Sequence, residues 1–326
     1  MKDLFLMRNI LFKRPVLALW QVTGRCNFRC RICRIWRAGH SWDDELSIAQ
    51  AETVLTKLHA FRPMLITLAG GEPTLREDLP LFTRMVSRNH YSSIITNGYR
   101  MDRSLARELF RNGLRDAMVS LDYAVPERHD EQRGIAGAFD HAIRALEHLR
   151  DARGRTNHVR ILTVLMDDNL HELEGLLLIA KELSVSLSIT RYSDHLGKQQ
   201  DFSPRDDVAA YLLELKRRHP HFDSATRYLA AFDQARAGIP SCGGGARFMT
   251  ITPSGGIARC IDRYDMPAAD ALTESSSAIR RKLLAEQHAE PCTACWTSCR
   301  GLADIVTGLS GIRSYGDFLR ASRPQR

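Results

Sequence analysis

Six short apolar runs, each followed by a helix-patterned stretch, fill residues 16–190, and few folds accept that alternation. Val16–Thr23, Met64–Ala69, Tyr91–Thr96, Leu114–Leu121, Val159–Met166 and Val185–Thr190 read as strands. Helices are expected over Ser47–His59, where Ser47 and Gln50 form a capping box, over Asp78–Arg88, and over Arg103–Asn112, closed by Gly113. Ala138–Arg150 carries Phe139, Ile143, Leu146 and Leu149 on one stripe, and Leu170–Leu183 is a further helix. Strands that alternate with helices lie parallel, because a parallel neighbour needs a crossover long enough to hold a helix. The sheet is then doubly wound or curled into a barrel, and both keep their chemistry at the carboxyl ends of the strands.

The pattern changes near Gly238-Ile239-Pro240, after two more expected helices at Asp206–Arg218 and Ser224–Ala237. A hairpin follows, with arms Phe248–Thr252 and Ile257–Ile261 around Pro253-Ser254-Gly255-Gly256. Helices are expected again around Ile279–Gln287 and Tyr315–Ala321. We therefore expect a helical segment over residues 1–15, a core domain over 16–238 and a small domain over 239–326. A chain of 326 residues with 44% hydrophobic and 26% charged residues is long enough for a large α/β domain plus such a module. No apolar run reaches the length of a membrane span, and Lys2, Asp3, Arg8, Lys13 and Arg14 break up the N-terminus. A cytoplasmic protein with no membrane partner is expected. The net charge of +8 comes from scattered basic residues without interleaved aromatics, so no nucleic-acid partner is expected.

Eight cysteines fall into a group of three and a group of five, which in a reducing compartment argues for metal sites rather than disulfides. Cys26, Cys30 and Cys33 follow the first strand directly. Three thiolates make a soft-metal site, one ligand short of a closed zinc or iron–sulfur centre. Such a site keeps one coordination position for chemistry. A zinc site lacking a ligand and a trio of buried structural cysteines are the alternatives.

Cys26-x3-Cys30-x2-Cys33, with an aromatic at Phe28, resembles the signature of radical S-adenosylmethionine (SAM) enzymes, and further matches follow in order from about residue 16 to 300. The resemblance implies a partial (β/α)6 TIM-like barrel, a 4Fe–4S cluster on the three cysteines and SAM on its open iron. Reductive cleavage then gives a 5′-deoxyadenosyl radical that abstracts a substrate hydrogen, with a flavodoxin- or ferredoxin-type electron donor. Gly70-Gly71-Glu72-Pro73 matches the motif that holds the SAM amino group. Thr96, Asn97, Ser120 and Asp122, at the ends of the third and fourth strands, match positions near SAM. Arg133-Gly134 matches a segment whose arginine reaches the SAM carboxylate. Thr163, Val164 and Asn169 are candidate adenine-side contacts.

The distal cysteines Cys242, Cys260, Cys292, Cys295 and Cys299 resemble the auxiliary-cluster extensions called twitch and SPASM. Five cysteines imply the shorter, twitch-like form with one further 4Fe–4S cluster. Cys242 and Cys260 fit the hairpin spacing best, and which of Cys292, Cys295 and Cys299 is spare stays open; a zinc ribbon is the alternative. A fully ligated second cluster suits electron transfer. That favours oxidation or another radical modification of a small metabolite or a peptide side chain. Carbon–carbon bond formation or rearrangement in cofactor biosynthesis is the second enzymatic expectation, and a non-catalytic zinc or iron–sulfur module is the third. Arg191, Tyr192, Asp194 and His195, after the sixth strand, are candidates for acid, base or anchor, with Arg247 and Asp262 beside the second cluster. About 15 residues precede the first strand, too few for a peptide-recognition domain, which weighs against a maturase of ribosomal peptides. Anaerobically reconstituted protein should be brown, hold about eight irons for two 4Fe–4S clusters, and release 5′-deoxyadenosine from SAM with dithionite. Colourless, zinc-loaded protein would end the enzyme hypothesis.

Overall fold

A computed structural model of the chain describes residues 2–12, 14–39, 41–61, 64–193, 208–233, 242–290, 292 and 295–305. Six parallel strands form in the expected places: β1 (Leu17–Thr23), β2 (Leu65–Gly70), β3 (Tyr91–Thr96), β4 (Leu114–Ser120), β5 (His158–Leu165) and β6 (Ser186–Arg191). Three more follow: β7 (Phe248–Ile251), β8 (Gly256–Ala258) and β9 (Ala269–Asp270). The nine make one open sheet in the order β6-β5-β4-β3-β2-β1-β7-β8-β9. Strand β7 pairs parallel with β1, while β8 and β9 add antiparallel beyond it. The hairpin therefore continues the barrel sheet from its first strand, and the architecture is a partial α/β barrel.

The helices are α1 (Lys2–Leu11), α2 (Ile48–His59), α3 (Leu79–Asn89), α4 (Arg103–Arg111), α5 (Pro126–Arg133), α6 (Ala138–Ala152), α7 (Leu173–Glu182), α8 (Ala209–Arg218), α9 (Thr226–Ala230), α10 (Ser276–Ala289) and α11 (Ser298–Ile305). Residue alternation sorts the two faces of the sheet. Ala18, Trp20 and Val22 of β1, with Ile66, Leu68 and Ile94, join the core formed with Leu58, Phe82, Val86, Leu109, Leu146 and Leu177 of the helices. Trp20 is fully buried, edge-on to Phe82 at 5.4 Å between ring centres. The opposite face, with Leu17, Leu19, Thr67, Met118, Leu162 and Ser188, lines an interior cavity of about 170 Å³.

Four elements depart from expectation, one of them α11, a helix at Cys299 that was not expected. Helix α5 was not expected, because Pro-Glu-Arg-His-Asp-Glu-Gln-Arg carries no apolar stripe; Pro126 starts it and Gly134, at φ +67°, ends it. The helix expected over Ser224–Ala237 is short: α9 gives way to a turn in which the Asp233 carboxylate accepts from the Val208 and Ala209 amides at the start of α8. Strand β9 is two residues long and was missed. The helix expected at Tyr315–Ala321 lies outside the described residues. Among the described residues no helix is long and apolar enough to cross a membrane.

Trp20→Ala should cost about 3–5 kcal/mol of stability. Truncation of Phe12, which is 65% exposed, should stay within about 0.5 kcal/mol. Urea titrations of both variants check the contrast.

Candidate functional site

Parallel pairing puts the ends of β1–β6 on one edge, and the loop carrying Cys26, Cys30 and Cys33 leaves the end of β1 there. Gly70 and Gly71 fix where that loop begins. A Cβ on Gly70 (φ +134°) would lie 2.1 Å from the Thr23 carbonyl oxygen, and one on Gly71 would lie 2.0 Å from that of Arg25. The Gly71 and Glu72 amides donate to Thr23 O and Arg25 O, both at 2.8 Å. Glu45 braces the same segment from the other side. Its carboxylate accepts from Thr23 Oγ1 and from Arg25 Nε at 2.7 Å, and takes Arg76, itself 2.7 Å from Asp78.

Glu72 is 1% exposed. Oε1 accepts from Thr74 N, Thr74 Oγ1 and Thr96 Oγ1, and Oε2 accepts from Asn97 N at 2.7 Å. Burial pushes its carboxyl pKa up, and these donors pull it back. The carboxylate is thus a staple between the ends of β2 and β3. Oε2, with a single protein donor, keeps acceptor capacity for a ligand amino group. Pro73 opens a short 3₁₀ turn that positions Thr74. Asn97 Nδ2 donates to Asn27 Oδ1 at 3.0 Å, while Asn27 Nδ2 is buried without a partner.

The cysteine loop is pinned to the C-terminal end of α5. Arg29 N donates to Arg133 O at 3.2 Å and Arg31 N to Gln132 O at 2.9 Å; a Cβ on Gly134 would lie 2.7 Å from Arg29 O. Phe28 is buried beneath the loop, edge-on to Tyr99 and packed with Cys30 and Ala138. Trp36 Nε1 donates to Cys30 O. Arg133 Nη2 meets Asp122 Oδ2 at 2.6 Å and its Nη1 lies 4.0 Å from Cys30 Sγ. Burial opposes the Arg133 charge, but Asp122 and Cys30 outweigh it and hold the guanidinium above its ordinary range. The arginine expected to reach a ligand carboxylate is therefore paired with a protein carboxylate, with Nε left over and buried without a partner. Asp122 Oδ1 accepts from Val164 N, and Asn169 Nδ2 donates to both Asp122 O and Val164 O. Thr163 Oγ1 donates to Leu121 O. Ser120 sits half-buried at the end of β4.

All five distal cysteines line one cavity of about 500 Å³, with Asp262 and Arg259 in its wall. Cys242 N donates to Cys292 O, and Gly244 N to Cys242 Sγ. Asp262 Oδ2 accepts from Ser193 Oγ at 3.0 Å, which joins the loop after β6 to this cavity. Arg191 turns away to Phe232, 5.4 Å from the ring centre, while Tyr192 is buried with Tyr123 and Met166. Asp194 and His195 lie outside the described residues. Arg247 lies over Gly243, and its carbonyl accepts from Val16 N. Glu45, Arg76 and the α5 tie escaped sequence reasoning, because, Asp78 aside, their partners are distant in sequence and their spacing carries no motif.

The donor chemistry of both cysteine groups, soft thiols without competing disulfides, suits an iron–sulfur cluster, while among the described residues no three such side chains are gathered closely enough to hold a single metal ion. Burial, and repulsion from Glu72, Cys30 and Cys33, push the Cys26 thiol up to about 12, and burial drives Cys260 and Cys299 to about 12 as well. A positively charged metal centre converts such crowded thiols to thiolates. The unpartnered Arg133 Nε and Asn27 Nδ2 lie beside the first group. The model of the radical SAM superfamily matches residues 20–179. Mycofactocin maturase MftC of Mycobacterium ulcerans is 29% identical over 321 residues, covering 90% of this chain and 85% of that protein. Fe-coproporphyrin III synthase of Methanosarcina barkeri is 36% identical over 140 residues, covering 43% of this chain and 35% of that protein. In structure, Streptococcus suis SuiB bound to precursor peptide SuiA superposes with a TM-score of 0.66 at 16% identity, over 83% of this chain and 66% of that one.

Arg133→Met leaves Asp122 a buried carboxylate without its cation and should cost about 3–5 kcal/mol. Adding Asp122→Asn should restore part of that loss. Urea midpoints of the two single variants and the double variant give the coupling directly.

Proposed function

The chain belongs to the radical SAM superfamily, and on that premise we propose that it modifies a peptide side chain by a net two-electron oxidation or cross-link. It is an enzyme that uses a 4Fe–4S cluster and SAM, and its C-terminal cysteines fit an auxiliary cluster. The observation that carries the substrate proposal is the convergence of all five distal cysteines on one cavity whose wall includes Leu17 and Leu19 of the barrel interior. A second redox centre opening onto the barrel suits removal of a second electron from substrate. The peptide class is supported by the resemblance to a structure bound to a precursor peptide and by a relative named a maturase. Both count against the expectation drawn from the short N-terminal segment.

When bound, the two clusters and SAM supply one-electron cleavage of SAM, a hydrogen-abstracting 5′-deoxyadenosyl radical, and a sink for the second electron. The rest is done by the chain. Cys26, Cys30 and Cys33 hold the first cluster, and Cys242 and Cys260 with two of Cys292, Cys295 and Cys299 hold the second. Gly70 and Gly71 keep the backbone close enough to shape the SAM pocket, and Arg133 holds positive charge beside Cys30. Asp262, which accepts from Ser193 Oγ and lines the auxiliary cavity, would take the substrate proton. An electron donor of the flavodoxin or ferredoxin type completes the proposal.

A second reading, modification of a tetrapyrrole in cofactor biosynthesis, is favoured by the 140-residue match to Fe-coproporphyrin III synthase. Mass spectrometry of peptide and tetrapyrrole substrates separates the two. In the productive case, Cys260→Ala should lose about half of its iron, given two 4Fe–4S clusters. It should still release 5′-deoxyadenosine and form no two-electron product; normal turnover would sink the electron-sink role. Asp262→Asn should slow product formation roughly 100-fold or more.

A further inference from the structure

Gln21 is a lone amide in the apolar strand β1, and it is 1% exposed. Neither its Oε1 nor its Nε2 has a hydrogen-bond partner among the described residues, and both atoms are buried. Strand alternation fixes where it points. Ala18, Trp20 and Val22 enter the core under the helices, so Gln21 shares the interior face with Leu17 and Leu19. Those two leucines line both the auxiliary cavity and the barrel cavity, and the cysteine loop begins three residues beyond Gln21 at Gly24. Along β1, Gln21 therefore lies between the leucines that line the distal-cysteine cavity and the start of the Cys26 loop, on the same face as those leucines.

Its strand neighbours supply no partner for the buried amide. Across β2 it pairs with Ala69, a small side chain, and on the other side β7 pairing ends at Trp20, one residue short of it. The register between β1 and β2 slips between Gln21 and Thr23, a bulge of the kind that re-aims side chains at sites. A buried carboxamide with no partner is destabilising, and such a cost persists in a fold when a ligand makes the missing bonds.

We propose that Gln21 binds the substrate, presenting one acceptor and one donor to a peptide unit of the chain being modified. A peptide group offers the complementary donor and acceptor within reach of one carboxamide. The inference rests on the peptide reading above and adds the residue that recognises it.

The test uses the reconstituted holoenzyme and a set of N-acetyl amino-acid N′-methylamides, the smallest peptide units. These should alter the rate of 5′-deoxyadenosine release by the natural protein. The concentration giving half the effect should rise about tenfold in Gln21→Met, as expected for one lost buried hydrogen-bonding group. The same variant should unfold at a higher temperature than the natural protein, because an unpartnered amide is replaced by a thioether of similar shape. Gln21→Glu, which keeps an acceptor but buries a charge, should instead unfold at a lower temperature. A Gln21→Met protein that is less stable or fails to fold would show the amide to be structural and overturn the proposal. A shift of less than twofold, or no response of the natural protein to any blocked amino acid, would overturn it as well. Failure of the natural protein to cleave SAM at all would instead overturn the enzymatic reading on which it rests.

Discussion

Two glycine backbones set against two carbonyl groups hold the rest of the site in place. With Cβ positions only 2.1 and 2.0 Å from Thr23 O and Arg25 O, residues 70 and 71 admit no other side chain without moving the start of the cysteine loop. That contact ties the end of β2 to the segment that launches Cys26. Glu72 extends the tie to β3 through Thr96 and Asn97, and Asn97 returns it to the loop through Asn27. The path closes on itself, so the loop's position is determined by three strand ends at once. A cofactor pocket built this way is organised before its ligand arrives, which saves reorganisation at the moment of reaction.

Three buried carboxylates perform the same service at different heights. Glu45 gathers Thr23, Arg25 and Arg76; Glu72 gathers Thr74, Thr96 and Asn97; Asp122 gathers Val164 and Arg133. Each sits where a single hydrophobic side chain would pack with less desolvation, so their persistence is not explained by stability alone. Each instead joins elements far apart in the chain and fixes a direction for a backbone or a cation. Arg133 shows the consequence. Asp122 on one side and Cys30 on the other set the orientation of its guanidinium, leaving Nε unpartnered beside the cysteine loop.

What was legible in the sequence was what repeats or clusters locally. Strands β1 to β6 were readable because burial on both faces demands apolar runs, and the capping box at Ser47 forms as its spacing implies. The cysteine triplet and the Gly70–Pro73 motif were readable because each is a contiguous run of distinctive residue types, although the contacts of Gly70, Gly71 and Glu72 reach Thr23, Arg25, Thr96 and Asn97. Helix α5 was not, because its charged sequence has no stripe and its job is to offer two backbone carbonyls to Arg29 and Arg31. Arg191 shows a related limit of reading by position. It follows a strand end like a site residue, yet alternation puts it with Leu187 and Ile189, toward Phe232. Glu45 was invisible, since nothing in its neighbourhood announces a partner 20 to 31 positions away.

The open sheet also decides where the second cysteine group sits. A closed barrel would pair its last strand with its first; here β1 pairs with β7, and β6 is left at an edge. Helix α11, which begins with Ser298 and carries Cys299, packs against both β6 and β7. Its first amide, on Ser298, donates to Thr190 Oγ1 at 3.0 Å. Tyr228 secures the segment before it, accepting from Arg191 N and donating to Trp296 O. The chain thus returns to the β6 edge, beyond the parallel bridge between Leu187 and Phe222, and brings Cys295 and Cys299 to the hairpin flanked by Cys242 and Cys260. Because β7 lies beside β1, that convergence occurs on the same strand that launches Cys26. The gap in the sheet is what lets Cys299, on the returning helix, line both the distal-cysteine cavity and the barrel cavity, which share Leu17 and Leu19 of the strand that launches Cys26.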